Sequence, residues 1–202
     1  MSLDGRTFSD RDAYALGLWC ADGYHRSSSI GLSNTNVDLV YWFGAYLASL
    51  LGGERLKLRA YVVDGSPIDS RIMGLVSGRV SRCRPFKMKQ TAYHIYVNSR
   101  PLLRLFRDRR RNISSIPRDR IPSYLAGRFD GDGSVGTSRV PGIRIVYSSR
   151  AEADTDAILT NAIGISSPSV YEYSAAREWC VYVPKEHVRF LLQLISPFSL
   201  RL

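Results

Sequence analysis

LAGRFDGDG, Leu125 to Gly133, decides how this chain is read, because a second stretch answers it: ALGLWCADG, Ala15 to Gly23. Each is an apolar run with small residues that ends in Asp-Gly. The wider copies are AYALGLWCADGYH, Ala13 to His25, and PSYLAGRFDGDGSV, Pro122 to Val135. Their aspartates, Asp22 and Asp132, lie 110 positions apart. A repeat on this scale sets the architecture before local propensity does.

The sequence downstream of the two copies runs in parallel. After the first comes a short polar hairpin, Tyr24 to Ser33, then Asn36 as the cap of an apolar helix, Val37 to Leu51, stopped by Gly52-Gly53. After the second comes a strand, Ile143 to Ser148, then a helix, Ala151 to Ile163, stopped by Gly164. Two more strands and a closing helix complete each half. The closing helices run from Pro101 to Arg109 and from Pro184 to Ile195, with proline at the start of each. Each half therefore reads helix, strand, strand, helix, strand, strand, helix. The first half is longer by about 27 residues, which fall in 64–89, a stretch rich in Gly, Ser and Arg that predicts a long basic hairpin or loop arm. The expected division is an N-terminal half over 10–110, a basic linker with Pro117 over 111–120, and a C-terminal half over 121–202.

Composition narrows the function. The 202 residues are 45% hydrophobic with a mean hydropathy of −0.14, enough for a sizeable core. No apolar run is long enough to span a bilayer, and residues 1–12 lack the apolar core of a signal peptide, so no membrane partner is expected. Cys20, Cys83 and Cys180 are odd in number and far apart, which suits a reducing compartment: cytoplasm, nucleoid or an organelle matrix. The net charge is +10, which points to a polyanion. Arginine carries nearly all of it, the only lysines being Lys57, Lys87, Lys89 and Lys185. The guanidinium fork suits phosphates and guanine edges, although a GC-rich coding bias also enriches arginine.

The charge is patterned. Arg55, Lys57, Arg59 and Tyr61 alternate with Leu56, Leu58, Ala60 and Val62, and His94, Tyr96 and Asn98 alternate with Tyr93, Ile95 and Val97. Arg144, Val146 and Ser148 alternate less cleanly with Ile143, Ile145 and Tyr147. Period two puts one face on a core and leaves the other cationic. Any one strand of this kind is also an ordinary solvated face. Together with the basic arm, the set reads as a surface for the major groove of double-stranded DNA. The expected contacts are Arg26, Arg55, Lys57, Arg59, Tyr61, His94, Tyr96 and Arg144, with Arg71, Arg79, Arg82, Arg84, Lys87 and Lys89 from the arm.

LAGRFDGDG resembles the LAGLIDADG motif with Arg128 and Phe129 as changes, and ALGLWCADG is a more degenerate copy. Two copies, each heading the same unit, resemble the single-chain LAGLIDADG homing endonucleases over nearly the whole chain. The resemblance implies an α+β fold of two pseudo-symmetric αββαββα halves, with motif helices packed at the centre and antiparallel sheets forming a DNA-binding saddle. It implies a monomer that makes a metal-dependent double-strand break with 3′ overhangs in a long DNA site. The last acid of each motif, Asp22 and Asp132, would bind the metal, with Gly23 and Gly133 beside them. Mg²⁺ is the expected ion, and Mn²⁺ or Ca²⁺ can occupy such a site. The family also places a lysine and polar side chains near the metal; Lys57 and Asn34 are the candidates, with Ser33 and Ser148 behind them, and each has an ordinary surface reading too.

The residues support this independently. Gly17 and Ala21 on one helix, and Gly127 and Gly131 on the other, are four apart and small enough for two backbones to approach. A carboxylate at a helix C-terminus opposes the macrodipole, and a bound cation compensates. Asp-Gly alone is also a plain helix stop; the duplication is what favours a metal. Asp130 has Cys20 as its counterpart, so a symmetric site cannot depend on it. An EF-hand over Asp130 to Pro141 fails, with Val135 at its sixth position and Pro141 at its twelfth. Three departures stand out: Ala15-Leu16 for Leu-Ala, Cys20 for an acid, and no lysine beside either aspartate, which leaves slow chemistry or another charge partner open. The alternative function is a LAGLIDADG-fold nucleic-acid binder with weak or lost cutting, an intron maturase or a transcription regulator.

Overall fold

The structure, a computed structural model, describes residues 7–24, 28–63, 66–77, 80–83, 89–136, 141–173 and 177–202. In chain order the elements are α1 (Asp10–Asp22), β1 (Gly23–Tyr24), β2 (Ser29–Asn34), α2 (Val37–Leu51), β3 (Lys57–Tyr61), α3 (Ser70–Leu75), β4 (Val80–Cys83), β5 (Ala92–Asn98), α4 (Arg100–Arg111), α5 (Ile121–Asp132), β6 (Gly133–Val135), β7 (Gly142–Tyr147), α6 (Arg150–Ala162), β8 (Ser169–Tyr173), β9 (Glu178–Pro184) and α7 (Lys185–Ile195). The fold is α+β, and the order of elements is the one expected from the repeat, with α3 and β4 added. Among the described residues no helix is long and apolar enough to cross a membrane.

By contacts the chain forms two compact units, Asp22–Arg107 and Met1–Ala21 with Asp108–Leu202. The sequence boundary differs, because it assigns α1 to the first half. The reason is packing: α1 lies on α5. A methyl group on Gly17 would stand 2.0 Å from the Tyr124 carbonyl oxygen, and one on Gly127 would stand 2.2 Å from that of Tyr14. Each glycine thus lets the facing backbone approach, as their positions in the two motifs predict. At their N-terminal ends Arg120 and Ser123 donate to the Asp10 carboxylate, at 2.5 and 3.1 Å. Ser9 and Asp12 start α1 with reciprocal bonds, Asp12 N donating to Ser9 Oγ at 3.2 Å and Ser9 N to Asp12 Oδ2 at 3.0 Å.

The 22–107 unit holds a five-stranded sheet in the order β1-β2-β5-β3-β4. Helix α2 lies on β2 and β5. The inward positions Ile30, Leu32, Leu58, Ala60, Ile95 and Val97 are buried, as are Leu39, Val40, Phe43 and Leu47 of α2. Asn36 caps α2 by accepting from the N–H groups of Asp38 and Leu39, and Gly52, at φ +89°, ends it. These two stops are the expected ones. The described residues of 64–89 include a helix and a strand where composition predicts a long hairpin or loop. They are α3, packed on α2 through the fully buried Ile72, and β4, which extends the sheet parallel to β3. Asp69 caps α3, its carboxylate accepting from Arg71 N.

The other unit holds a four-stranded antiparallel sheet, β6-β7-β9-β8. Helices α5, α6 and α7 cover one face. Ile143, Ile145, Tyr147, Val181 and Val183 point into that core.

Candidate functional site

Each motif aspartate is the last residue of its helix and precedes a strand. Asp22 ends α1, and Gly23 opens β1, which pairs with β2 so that Gly23 lies opposite Leu32. Asn34, at the end of β2, donates its amide N–H to Asp22 Oδ2 at 2.6 Å, while its own carbonyl oxygen accepts from Asn36 N at 2.7 Å. One side chain therefore fixes the carboxylate and is itself fixed by the turn into α2. Asp132 ends α5, and Gly133 opens β6 opposite Ile145 of β7. Both aspartates are half-buried.

Behind Asp132 the chain builds a second layer. Asp130 is 1% exposed and accepts three hydrogen bonds, from Tyr14 Oη at 2.6 Å, Ser199 Oγ at 2.5 Å and Leu200 N at 2.7 Å. Its role is structural support, in line with the lack of a counterpart at Cys20. Arg201 Nη1 donates to the carbonyl oxygens of Asp130 at 2.8 Å and of Phe129 and Gly133 at 3.3 Å each. Gly133, which the sequence expectation names as a metal neighbour, has its carbonyl oxygen 3.3 Å from this guanidinium.

The open face of the first sheet follows the period-two pattern. Register places Gly31, Tyr96 and Lys57 in one row and Ser33, His94 and Arg59 in the next. Tyr24 lies beside Gly31, where the missing side chain leaves room for Tyr96, whose Cβ would be 2.5 Å from an added methyl. Lys57 and Tyr61 are half-exposed and Arg59 is exposed. The Arg59 guanidinium lies 5.4 Å from the Tyr96 ring centre.

Five of the expected contact residues have the following places. His94 is 3% exposed, packed between Tyr24 and Tyr96 at ring distances of 4.3 and 4.7 Å, so it supports the face rather than lining it. Burial, and then the Arg59 charge, push its pKa down to about 4. Arg55 precedes the strand in a 3-10 turn and donates to the Asn98 carbonyl at 3.1 Å. Arg71 lies on α3 with its charge engaged by Asp38 at 2.8 Å and Asp69 at 3.3 Å. Arg82 is paired with Ala60, which puts it on the face opposite Arg59. Lys89 is exposed in the bend before β5 rather than on an arm. Arg26, Arg79, Arg84 and Lys87 lie outside the described residues.

No family profile and no curated protein matches the sequence. Solved structures do match. I-DmoI in complex with DNA and Mn aligns with a TM-score of 0.64 at 14% identity, over 94% of this chain and 97% of its own. I-WcaI, a homing endonuclease bound to its DNA recognition sequence, aligns with a TM-score of 0.59 at 12% identity, over 96% of this chain and 84% of its own. The N-terminal LAGLIDADG domain of DUF199/WhiA aligns with a TM-score of 0.57 at 14% identity, over 95% and 86%. The chain has the single-chain LAGLIDADG fold.

Within the LAGLIDADG fold this chain makes one departure in its core. Arg128 stands at the motif position that Leu18 occupies in the first copy, and it is 1% exposed. Its Nε donates to Asp156 of α6 at 3.1 Å, and its guanidinium lies 4.2 Å from the Tyr147 ring centre. Tyr124 and Tyr147 also donate to Asp156, at 3.0 and 2.9 Å. The second LAGLIDADG half also carries an aromatic face that sequence reasoning missed. Arg144, Tyr182 and Ser169 share one row, Cys180 and Tyr171 the next, and the Arg144 guanidinium is 5.7 Å from the Tyr182 ring centre. The signal was there, in the alternation of Tyr171 and Tyr173 with Val170 and Glu172.

Proposed function

We propose that this protein is a site-specific DNA endonuclease of the homing type, acting as a monomer on a long double-stranded site. The observation that carries the reading is the pair of Asp-Gly helix ends, Asp22 and Asp132, on two motif helices that pack through Gly17 and Gly127. The proposed outcome is a double-strand break with 3′ overhangs.

The donor set fits a hard divalent cation. Among the described residues no cluster of three or more His, Cys, Asp or Glu exists. Mg²⁺ asks for no such cluster, since it is bound through one or two carboxylates and completes its shell with water and phosphate oxygens. Asp22 and Asp132 each supply one carboxylate, with Gly23 beside the first. The ion, when bound, supplies an activated water and neutralises the departing 3′ oxygen. Asn34 holds Asp22 in place through its amide. Lys57, Arg59, Tyr61 and Tyr96 on the first sheet and Arg144 on the second bind phosphates and base edges, Lys57 being the candidate for assisting catalysis. The similarity to I-DmoI in complex with DNA and Mn, and with DNA and Ca, supports a divalent cation here.

The similarity to the WhiA domain favours a second reading, a nucleic-acid binder such as a transcription regulator or an intron maturase. A cleavage selection on a randomised duplex library with Mg²⁺, beside an Asp132→Asn control, separates the two. One long site cut by the wild type alone establishes the nuclease. Mg²⁺-independent enrichment of bound sequences without cutting establishes the binder.

A further inference from the structure

The second motif helix ends in a clip. Residues Ser199 to Arg201 fold back on the end of α5 through five hydrogen bonds: Ser199 and Leu200 donate to the Asp130 carboxylate, and Arg201 to the Asp130, Phe129 and Gly133 carbonyls, while Arg201 N donates to Ser199 Oγ at 3.1 Å within the clip. Tyr14 of α1 donates to the same carboxylate. Burial and the Asp130 charge raise the Tyr14 hydroxyl well above its ordinary range, so it remains a donor at any working pH.

Helix C-terminal carbonyls lack intrahelical partners and carry the negative end of the macrodipole. Asp132 adds a carboxylate at that end, which is the least favourable place for one. A guanidinium on the carbonyls either side of Asp132 offsets both. Arg201 thus brings a positive charge to the end of α5, where the sequence offers no lysine. Its Nη1 faces three carbonyls, most closely that of Asp130 at 2.8 Å, which bears on the direction of the last turn as well as on its charge.

We propose that Arg201 is a positioning residue for Asp132. The clip holds the final turn of α5 so that the Asp132 carboxylate keeps the attitude from which it binds a divalent cation. This rests on the nuclease reading above. The first copy has Cys20 in place of Asp130, so it cannot anchor such a clip through that position, and the effect belongs to one half of the protein only.

The test compares Arg201→Ala, Arg201→Lys and Asp132→Asn with the wild type. Tb³⁺ luminescence measures the metal site that Asp132→Asn removes. Amide exchange over 129–135 and the melting temperature report the clip and the fold. Nicking of each labelled DNA strand is followed against Mg²⁺ concentration. Arg201→Ala weakens the Asp132-dependent Tb³⁺ site by about tenfold, the range for groups behind a metal ligand. It speeds exchange locally and raises the Mg²⁺ needed for one strand more than the other, so nicked DNA accumulates. Metal-free DNA affinity is unchanged, and Arg201→Lys recovers part of the loss. Wild-type Tb³⁺ affinity in Arg201→Ala overturns the proposal. So does a loss that tracks a lowered melting temperature and faster exchange throughout the protein. A wild type with no Asp132-dependent Tb³⁺ site overturns the nuclease reading itself, which is a different result.

Discussion

Arg128 and Asp156 form an ion pair at 3.1 Å with each side chain 2% exposed, so the second motif helix carries a charge where the first carries Leu18. Two tyrosine hydroxyls serve the carboxylate and the Tyr147 ring lies beside the guanidinium, whose Nη1 is buried without a hydrogen-bond partner. Burial raises the Asp156 pKa, and the Arg128 charge works against that rise.

Breaking the pair from one side strands a buried charge. Asp156→Ala is expected to cost about 3–5 kcal/mol in urea unfolding, while replacing Arg128 and Asp156 together with leucine recovers most of the loss. A single-variant loss below about 1 kcal/mol means that water reaches the pair.

The helix contact leaves no room for a methyl group. Gly17→Ala drives a Cβ into the Tyr124 carbonyl and is expected to cost about 3 kcal/mol. Gly74→Ala, on a helical residue with nothing within 4 Å of the added methyl, is expected to be neutral or to stabilise by up to about 1 kcal/mol. Melting temperatures of the two variants moving together argue against the close approach.

His94 gives the fold an acid-sensitive point. Its pKa is about 4 in the folded protein against 6.5 for the ordinary side chain. The unfolded chain therefore takes up a proton that the folded one refuses. The stability is full above about pH 6.5 and falls as the pH drops toward 4, by up to about 3 kcal/mol. His94→Phe keeps the ring between Tyr24 and Tyr96 and removes this slope. Identical pH dependence in the two proteins places the acid sensitivity elsewhere.

Charge on the first sheet is expected to set the salt dependence of DNA binding. Each phosphate contact contributes about 0.9 to the slope of log K against log salt. Lys57→Ala with Arg59→Ala flattens the slope by about 2. Arg71→Ala, whose charge is engaged by two carboxylates, and Arg82→Ala, on the other face, leave it unchanged. A change in the second pair equal to that in the first moves the interface off this sheet.

The sequence made the repeat, the α2 caps at Asn36 and Gly52, and the glycine contact of the motif helices legible, because each is a local signal with a steric or hydrogen-bonding cause. It did not make α3 and β4 legible. Helix α3 packs on α2, with Ile72 buried, a tertiary contact in a stretch whose Gly, Ser and Arg content reads as loop. His94 and Arg82 were misplaced for a related reason. Alternation tells which residues share a face, but not whether neighbouring rings cover one of them or which face an added strand presents. Arg128 could not be recognised as buried without Asp156, and Arg201 is distant in sequence from the helix it caps.

The place of α1 has a consequence for how the protein is made. Its helical partner, α5, begins 98 residues after α1 ends, the stretch 23–120. At ~5–20 residues per second, synthesis leaves the glycine face of α1 exposed for roughly 5–20 s before that partner exists. The 22–107 unit emerges complete in the interval and can fold first. A nascent chain in which 22–107 has left the ribosome and α5 has not would therefore hold one unit able to fold and one helix still waiting for its other half, which makes α1 the segment that a chaperone would meet.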